Sequence, residues 1–221
     1  MNYAALMEAR FSCRAYLETP VTAREVQEIV SLAGQAPSWG NTQPWRVYAA
    51  NGEAARQVRQ RLVLAFREGR TPTPEIPMPQ GFAGRLMDNY RLLGRELFGH
   101  LGLGREDKER RDAHYANNFN AFGAPTLVWI TVPAGQTAYV MFDAGAFVTA
   151  FCLAAAARGL GTCILAALAR YPEEVRQVMP IPEDEAIVIG VALGNPDPAA
   201  PANRFRSRRE PLGQVLTMTG F

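Results

Sequence analysis

The chain has 221 residues, 48% hydrophobic and 20% charged, which supplies one generous domain or two small ones and excludes a disordered or fibrous chain. A formal charge of +2 is too small to make nucleic acid or an anionic membrane the default partner. Cys13, Cys152 and Cys163 are odd in number and form no CxxC, so reduced thiols in a cytoplasmic setting are expected rather than a disulfide framework.

The opening MNYAALMEARF places Glu8 where an export signal needs an apolar stretch, so no export is expected. Thr22 and Glu25 have capping-box spacing, and Val26, Ile29, Val30 and Ala33 share the face of a helix that should stop before Pro37. Trp45 to Ala50 reads as a strand, and Asn51-Gly52 turns it into a helix carrying Val58, Leu62 and Ala65. Residues 71–81, TPTPEIPMPQG, hold four prolines, which excludes a central strand or helix interior and suggests an exposed excursion or lid. Helical spacing resumes from Leu86 to Leu101, followed by a charge-rich helix or linker from Arg105 to His114.

TLVWITV, 126–132, is a β-branched run bounded by prolines, as a buried strand requires. From Asp143 to Arg158 the chain is apolar nearly all round, which predicts a buried central helix capped by Gly159. The uncharged run on either side of Asp143 is short for a bilayer span. A short strand at Thr162 to Leu165, a helix opened by Pro172 with Glu173 and Glu174, and a strand at 186–193 follow. Beyond Asn195 lies a tail with little to bury locally. With no internal repeat, these elements imply a single α+β domain over residues 1–221, with an excursion at 71–81 and a C-terminal extension at 196–221.

Several chemistries lack their residues. His100 and His114 without HExxH or clustered cysteines give a metal little to bind; there is no G-x-S-x-G elbow, no dinucleotide G-x-G-x-x-G after a strand, and no Walker lysine. Arginine stands out instead. Arg10, Ser12 and Arg14 alternate, so in an extended segment they project one way, and Arg204, Arg206, Arg208 and Arg209 crowd the other end. If the ends meet they form a fork-rich pocket for a phosphate dianion; otherwise both are solvated surface charge, and a nucleic-acid tail is a weaker reading. Between helix and strand, APSWGNTQPW (36–45) either forms an ordinary polar loop anchored by Trp45 or offers Ser38, Asn41 and Gln43 to the edge of a heteroaromatic ring and Trp39 to its face.

R-x-S-x-R at 10–14, A-P-S-W-G-N-T-Q-P-W-R at 36–46, G-L-G-T-C at 159–163, I-V-I-G-V-A-L-G-N-P-D and N-R-F-R-S-R-R-E-P-L together resemble the FMN-dependent nitroreductase family across almost the full length. The resemblance implies a central, mostly antiparallel sheet wrapped by helices. It also implies an intertwined homodimer with swapped C-terminal extensions and two FMN molecules at the interface. Arg10, Ser12 and Arg14 would then meet the flavin's phosphate, ribityl chain and pyrimidine edge, with Arg14 or a nearby backbone donor beside the N1/C2 carbonyl region. Arg209 would bind the phosphate with Arg206 as second cation, or Arg208 in its place. Pro37, Ser38, Trp39 and Asn41 would reach the flavin from the other subunit, supported by Gln43, and Trp39 would narrow the pocket above it. A backbone N–H in Ile164-Leu165-Ala166 would face flavin N5, although relatives often carry a proline and a polar residue there.

The implied activity is ping-pong reduction of nitroaromatics or quinones by NADH or NADPH, in the cytoplasm, with no metal, nucleic acid or membrane partner. Relatives also include reductive dehalogenases and flavin-cleaving enzymes, and a non-catalytic flavin protein is a further alternative.

Overall fold

The computed structural model describes residues 2–221. Strands β1 (Arg46–Asn51), β2 (Thr126–Pro133), β3 (Gly161–Leu165) and β4 (Glu185–Gly194) form one antiparallel sheet in the order β1-β2-β4-β3. The continuous apolar run of β2 follows from burial on both faces, since successive side chains point to opposite sides. Leu127 and Trp129 enter one core with α3 (Gly52–Arg67) and residues 119–124, and the Trp129 Nε1–H donates to the Leu168 carbonyl at 3.0 Å. Val128 and Ile130 enter the opposite core with α2 (Ala23–Ala33) and α6 (Ala138–Ala156).

The local signals act as their chemistry requires. Thr22 and Glu25 close the capping box in both directions. Gly159 takes φ +76° beyond α6, and Leu160 N–H reaches back to the Ala155 carbonyl, a left-handed helix end that a side chain would disfavour. A first helix, α1 (Tyr3–Ala9), had no counterpart in the pattern reading, because it buries no side chain and so shows no apolar stripe; Asn2 caps it by accepting the Ala5 N–H. Helices α4 (Gly84–His100), α5 (Lys108–Ala116), α7 (Pro172–Arg176), α8 (Pro201–Arg204) and α9 (Leu212–Val215) complete the chain.

Two expectations need correction. Helix α6 starts at Ala138 rather than Asp143, and it is not buried all round: Asp143, Ala144, Phe147, Phe151 and Cys152 are buried, whereas Tyr139, Phe142, Gly145 and Thr149 are exposed. By length and hydropathy alone the helix would suffice to span a membrane; here its inner face packs on α2 and the sheet.

The proline-rich 71–81 segment has no helix or strand, as expected, yet its first half is fastened down. Glu75 accepts the Ile187 N–H at 2.7 Å and pairs with Arg176 at 2.8 Å, and Thr73 N–H donates to the Arg170 carbonyl. The tether lies where the β2–β4 register slips between Ile130 and Thr131, so a carboxylate serves an N–H beside a β-bulge. Glu75→Ala should therefore lose a charge-assisted contact of about 2 kcal/mol and speed limited proteolysis within 71–81. Unchanged cleavage there, measured by mass spectrometry, would refute the tether.

All three cysteines are buried and unpaired. Burial pushes their pKa values up, that of Cys163 to about 11, so they stay protonated near neutrality and make poor nucleophiles. A thiol reagent should label essentially none of them in the native protein and all of them in denaturant; stoichiometric native labelling would contradict this packing.

Candidate functional site

The chain leaves α1 at Arg10 in an extended conformation and runs beside the sheet edge. Ser12 makes a parallel bridge to Thr162, and Cys13 N–H donates to the Thr162 carbonyl at 2.9 Å. Gly161 permits this approach, because a Cβ there would sit 2.8 Å from Cys13 Sγ and 2.9 Å from Pro196 Cγ. Buried Asn203 then joins the termini: it accepts the Arg14 N–H at 2.7 Å and donates Nδ2–H to the carbonyls of Ala15 and Asp197. The Arg206 guanidinium lies 4.0 Å from the centre of the Phe11 ring, a cation–π contact that brings a C-terminal cation to the arginine-bearing N-terminal segment.

Arg10, Ser12, Arg14 and Arg206 are thus gathered near the start of β3. The other C-terminal arginines are engaged elsewhere in the protomer. Arg204 donates to the Ala199 carbonyl, Arg208 pairs with Glu96 of α4 at 2.7 Å, and Arg209 turns onto its own Ser207 Oγ at 2.7 Å. Because β3 is an edge strand and Ser12 bridges Thr162, the backbone from Cys163 to Ala166 has, among the described residues, no further strand on that side. Ile164 and Ala166 are exposed there, while the Leu165 side chain is buried in the core, so Leu165 has only its backbone to offer.

A group that sequence reasoning did not assign to the site lies within the electrostatic reach of Arg14. His114 is half-buried between the rings of Phe98 and Phe122, and burial, aided by the Arg14 charge, pushes its pKa down so that it is neutral at physiological pH. Phe122 follows Ala121 in a turn where both have positive φ, +53° and +48°, a strained conformation for bulky residues that the packing must hold. No sequence pattern announces such a turn.

The second cluster is the 36–45 connection, and one row of α6 holds it. Asp143 accepts the Trp39 N–H at 3.0 Å. Tyr139, four residues earlier, meets the Trp39 ring edge-on at 4.7 Å, and Phe147, four residues later, stacks on Trp45 at 4.9 Å. Residues spaced by four lie on one helix face, so α6 grips both tryptophans at once. Within the loop the Ser38 Oγ accepts the Gln43 N–H at 2.9 Å and Gln43 Nε2–H reaches Asn41 Oδ1, while Gly40, Asn41 and Gln43 all have positive φ. Pro37, Trp39, Asn41 and Gln43 remain exposed. Asp143 had a visible signal, as the single charge in an otherwise apolar helix, that the sequence reading took only as an interruption.

These clusters sit at opposite ends of α6. The loop contacts Tyr139 and Asp143, whereas Arg10 and Phe11 line a pocket with Ala156, Gly159 and Thr162. At 1.5 Å per residue, Asp143 and Ala156 are roughly 20 Å apart along the axis. Between them runs the exposed face of small and apolar residues, including Gly145, Ala146, Thr149, Ala150 and Leu153.

The family model described as the Nitroreductase family matches residues 7–195. The 4-nitrobenzoate reductase of Nocardioides sp. (strain LMS-CY) is 31% identical over 97% of this chain and 89% of its own length. A 4-nitrobenzoate reductase from Pseudomonas putida is 29% identical over 100% of this chain and 96% of its own. Among solved structures, the FMN-dependent nitroreductase NfnB from Mycobacterium smegmatis in complex with NADPH superposes with a TM-score of 0.92 at 28% identity, covering 98% of this chain and 97% of that one.

Proposed function

Because the chain belongs to the nitroreductase family, we propose that it is an FMN-dependent oxidoreductase that uses NADPH or NADH to reduce nitroaromatic or quinone-type acceptors. The observation that carries this reading is the convergence of Arg10, Ser12, Arg14 and Arg206 beside the open edge of β3. Planar guanidinium forks match a phosphate dianion, and the unpaired backbone edge matches the polar rim of a flat heterocycle, so the donor set fits FMN. Arg10 and Arg206 would hold the phosphate, Ser12 the ribityl hydroxyls, and Arg14 the pyrimidine edge. Arg209 would join the phosphate only by leaving Ser207, and the backbone of Ile164, Leu165 and Ala166 would supply donors to the ring.

When bound, FMN would supply two-electron transfer between the nicotinamide donor and the acceptor. The protein's tasks are to retain the cofactor, leave one ring face accessible and balance charge. Arg14 would set a permanent positive charge beside the pyrimidine edge, which reduction makes more negative. Neutral His114, packed against the rings of Phe98 and Phe122, adds no competing charge within the electrostatic reach of Arg14.

The site is completed by a second copy. A two-fold axis across the exposed face of α6 sets its N-terminal half against the C-terminal half of its mate, so the loop of one protomer approaches the arginines of the other. Pro37, Ser38, Trp39 and Asn41, braced by Gln43, would then cover the ring from across the interface. The small residues on that face favour close helix approach and an apolar contact of the obligate type. Tail residues 211–221, exposed throughout, are available to extend over the partner.

The test is direct. Purified protein should be yellow, carry about one FMN per chain, lose its visible absorbance on anaerobic addition of NADPH or NADH, and recover it with a nitroaromatic; parallel double-reciprocal plots should follow. A protein that binds no FMN, or whose flavin neither nucleotide bleaches, would overturn the reading.

A further inference from the structure

Helix α6 does more than fill the core: through Asp143 and Tyr139 it fixes the backbone and the ring of one tryptophan. We infer that Asp143 and Tyr139 are positioning residues that hold Trp39 as a rigid wall of the acceptor pocket, so that preference for flat aromatic acceptors is set from α6. The inference rests on the proposed function and goes beyond it by locating acceptor selectivity.

Trp39 is 65% exposed, an unusual place for the largest side chain unless its face has work to do. An exposed indole is ordinarily free to change rotamer. Here Tyr139 packs against it with the ring planes at 72°, which restrains the indole while most of its surface stays open. With Pro37, Ser38, Phe142 and Asp143 the two rings line a shallow pocket of about 300 Å³.

The backbone is fixed as firmly. Asp143 is only 4% exposed in a helix otherwise devoid of charge, and a buried carboxyl group is unfavourable unless it meets a partner, which here is the Trp39 N–H. The residue is therefore explained by what it orients. What it orients is a tight loop: Gly40 and Asn41, which take left-handed φ readily, and Gln43, for which it is unfavourable, follow Trp39, and such a loop relaxes when an anchor is lost. The Ser38–Gln43 bond is a separate anchor, so loosening Trp39 need not release the polar part of the loop. A fixed, bare indole face stacks best on a flat aromatic partner and offers little to a small non-aromatic oxidant.

The experiment uses the full-length, FMN-loaded protein, with 4-nitrobenzoate as the flat acceptor and ferricyanide as the non-aromatic one. Asp143→Leu should raise KM for 4-nitrobenzoate about tenfold, equivalent to about 1.4 kcal/mol, with kcat, ferricyanide turnover and flavin absorbance nearly unchanged. Asp143→Asn keeps an oxygen to accept the Trp39 N–H and should restore most of the lost KM. Tyr139→Leu should shift KM in the same direction. Unchanged KM in Asp143→Leu and Tyr139→Leu, equal losses on both acceptors, or failure of Asp143→Asn to rescue would each overturn the assignment. If Asp143→Leu does not fold, Trp39→Leu and Tyr139→Leu decide it, and wild-type KM in both refutes it. A wild-type protein that binds no FMN is a different failure, that of the proposed function.

Discussion

Gly145→Glu is expected to yield a folded, colourless monomer. In the protomer a Cβ at Gly145 meets no heavy atom within 4 Å, and replacing a mid-helix glycine with a good helix former adds about 0.5–1 kcal/mol to helix stability. The isolated chain should therefore be no less stable. In the proposed dimer the same position lies on the face where α6 meets its copy, and a carboxylate there would be buried without a partner and near its own symmetry mate. The two signs separate cleanly. Light scattering should report the 24.3 kDa monomer, with flavin content falling at least tenfold because the loop of the second protomer is absent. A yellow dimer from this variant would remove the α6 face from the interface.

Arg14→Ala should weaken FMN binding by about 10- to 100-fold, the loss of one charge-assisted hydrogen-bonding group. The flavin that remains should have a lower reduction potential, because a positive charge that favours the reduced form is gone. The fold should survive: Asn203 holds the Arg14 backbone N–H, which alanine retains, and among the described residues the side chain's only hydrogen bond is a 3.3 Å contact to the Ser12 carbonyl. Fluorescence titration with FMN and a spectroelectrochemical midpoint measure the two effects separately. Wild-type affinity together with wild-type potential would remove Arg14 from the cofactor site.

Much of the fold was legible because it rests on local chemistry. The continuous β-branched run of β2, the Thr22–Glu25 box, the Asn51-Gly52 turn and Gly159 each state their conformation within a few residues. Helix α1 was missed for the converse reason: a helix that buries nothing leaves no stripe. The 71–81 segment was legible as irregular but not as tethered, since Glu75 finds its partners more than a hundred residues away.

The candidate site divides the same way. Sequence alone determined which groups were available: guanidinium forks at both ends, two tryptophans in one polar connection, and an apolar helix broken by one carboxylate. Only the tertiary structure decided which of them meet. Arg206 reached Phe11 while Arg208 and Arg209 were engaged elsewhere, and Asp143 proved to be the anchor of Trp39 rather than an interruption. It also placed the arginines and the tryptophan loop at opposite ends of α6. Side-chain chemistry is a property of each residue, whereas proximity between residues distant in the chain is set by how strands and helices pack, and spacing along the sequence carries no measure of it.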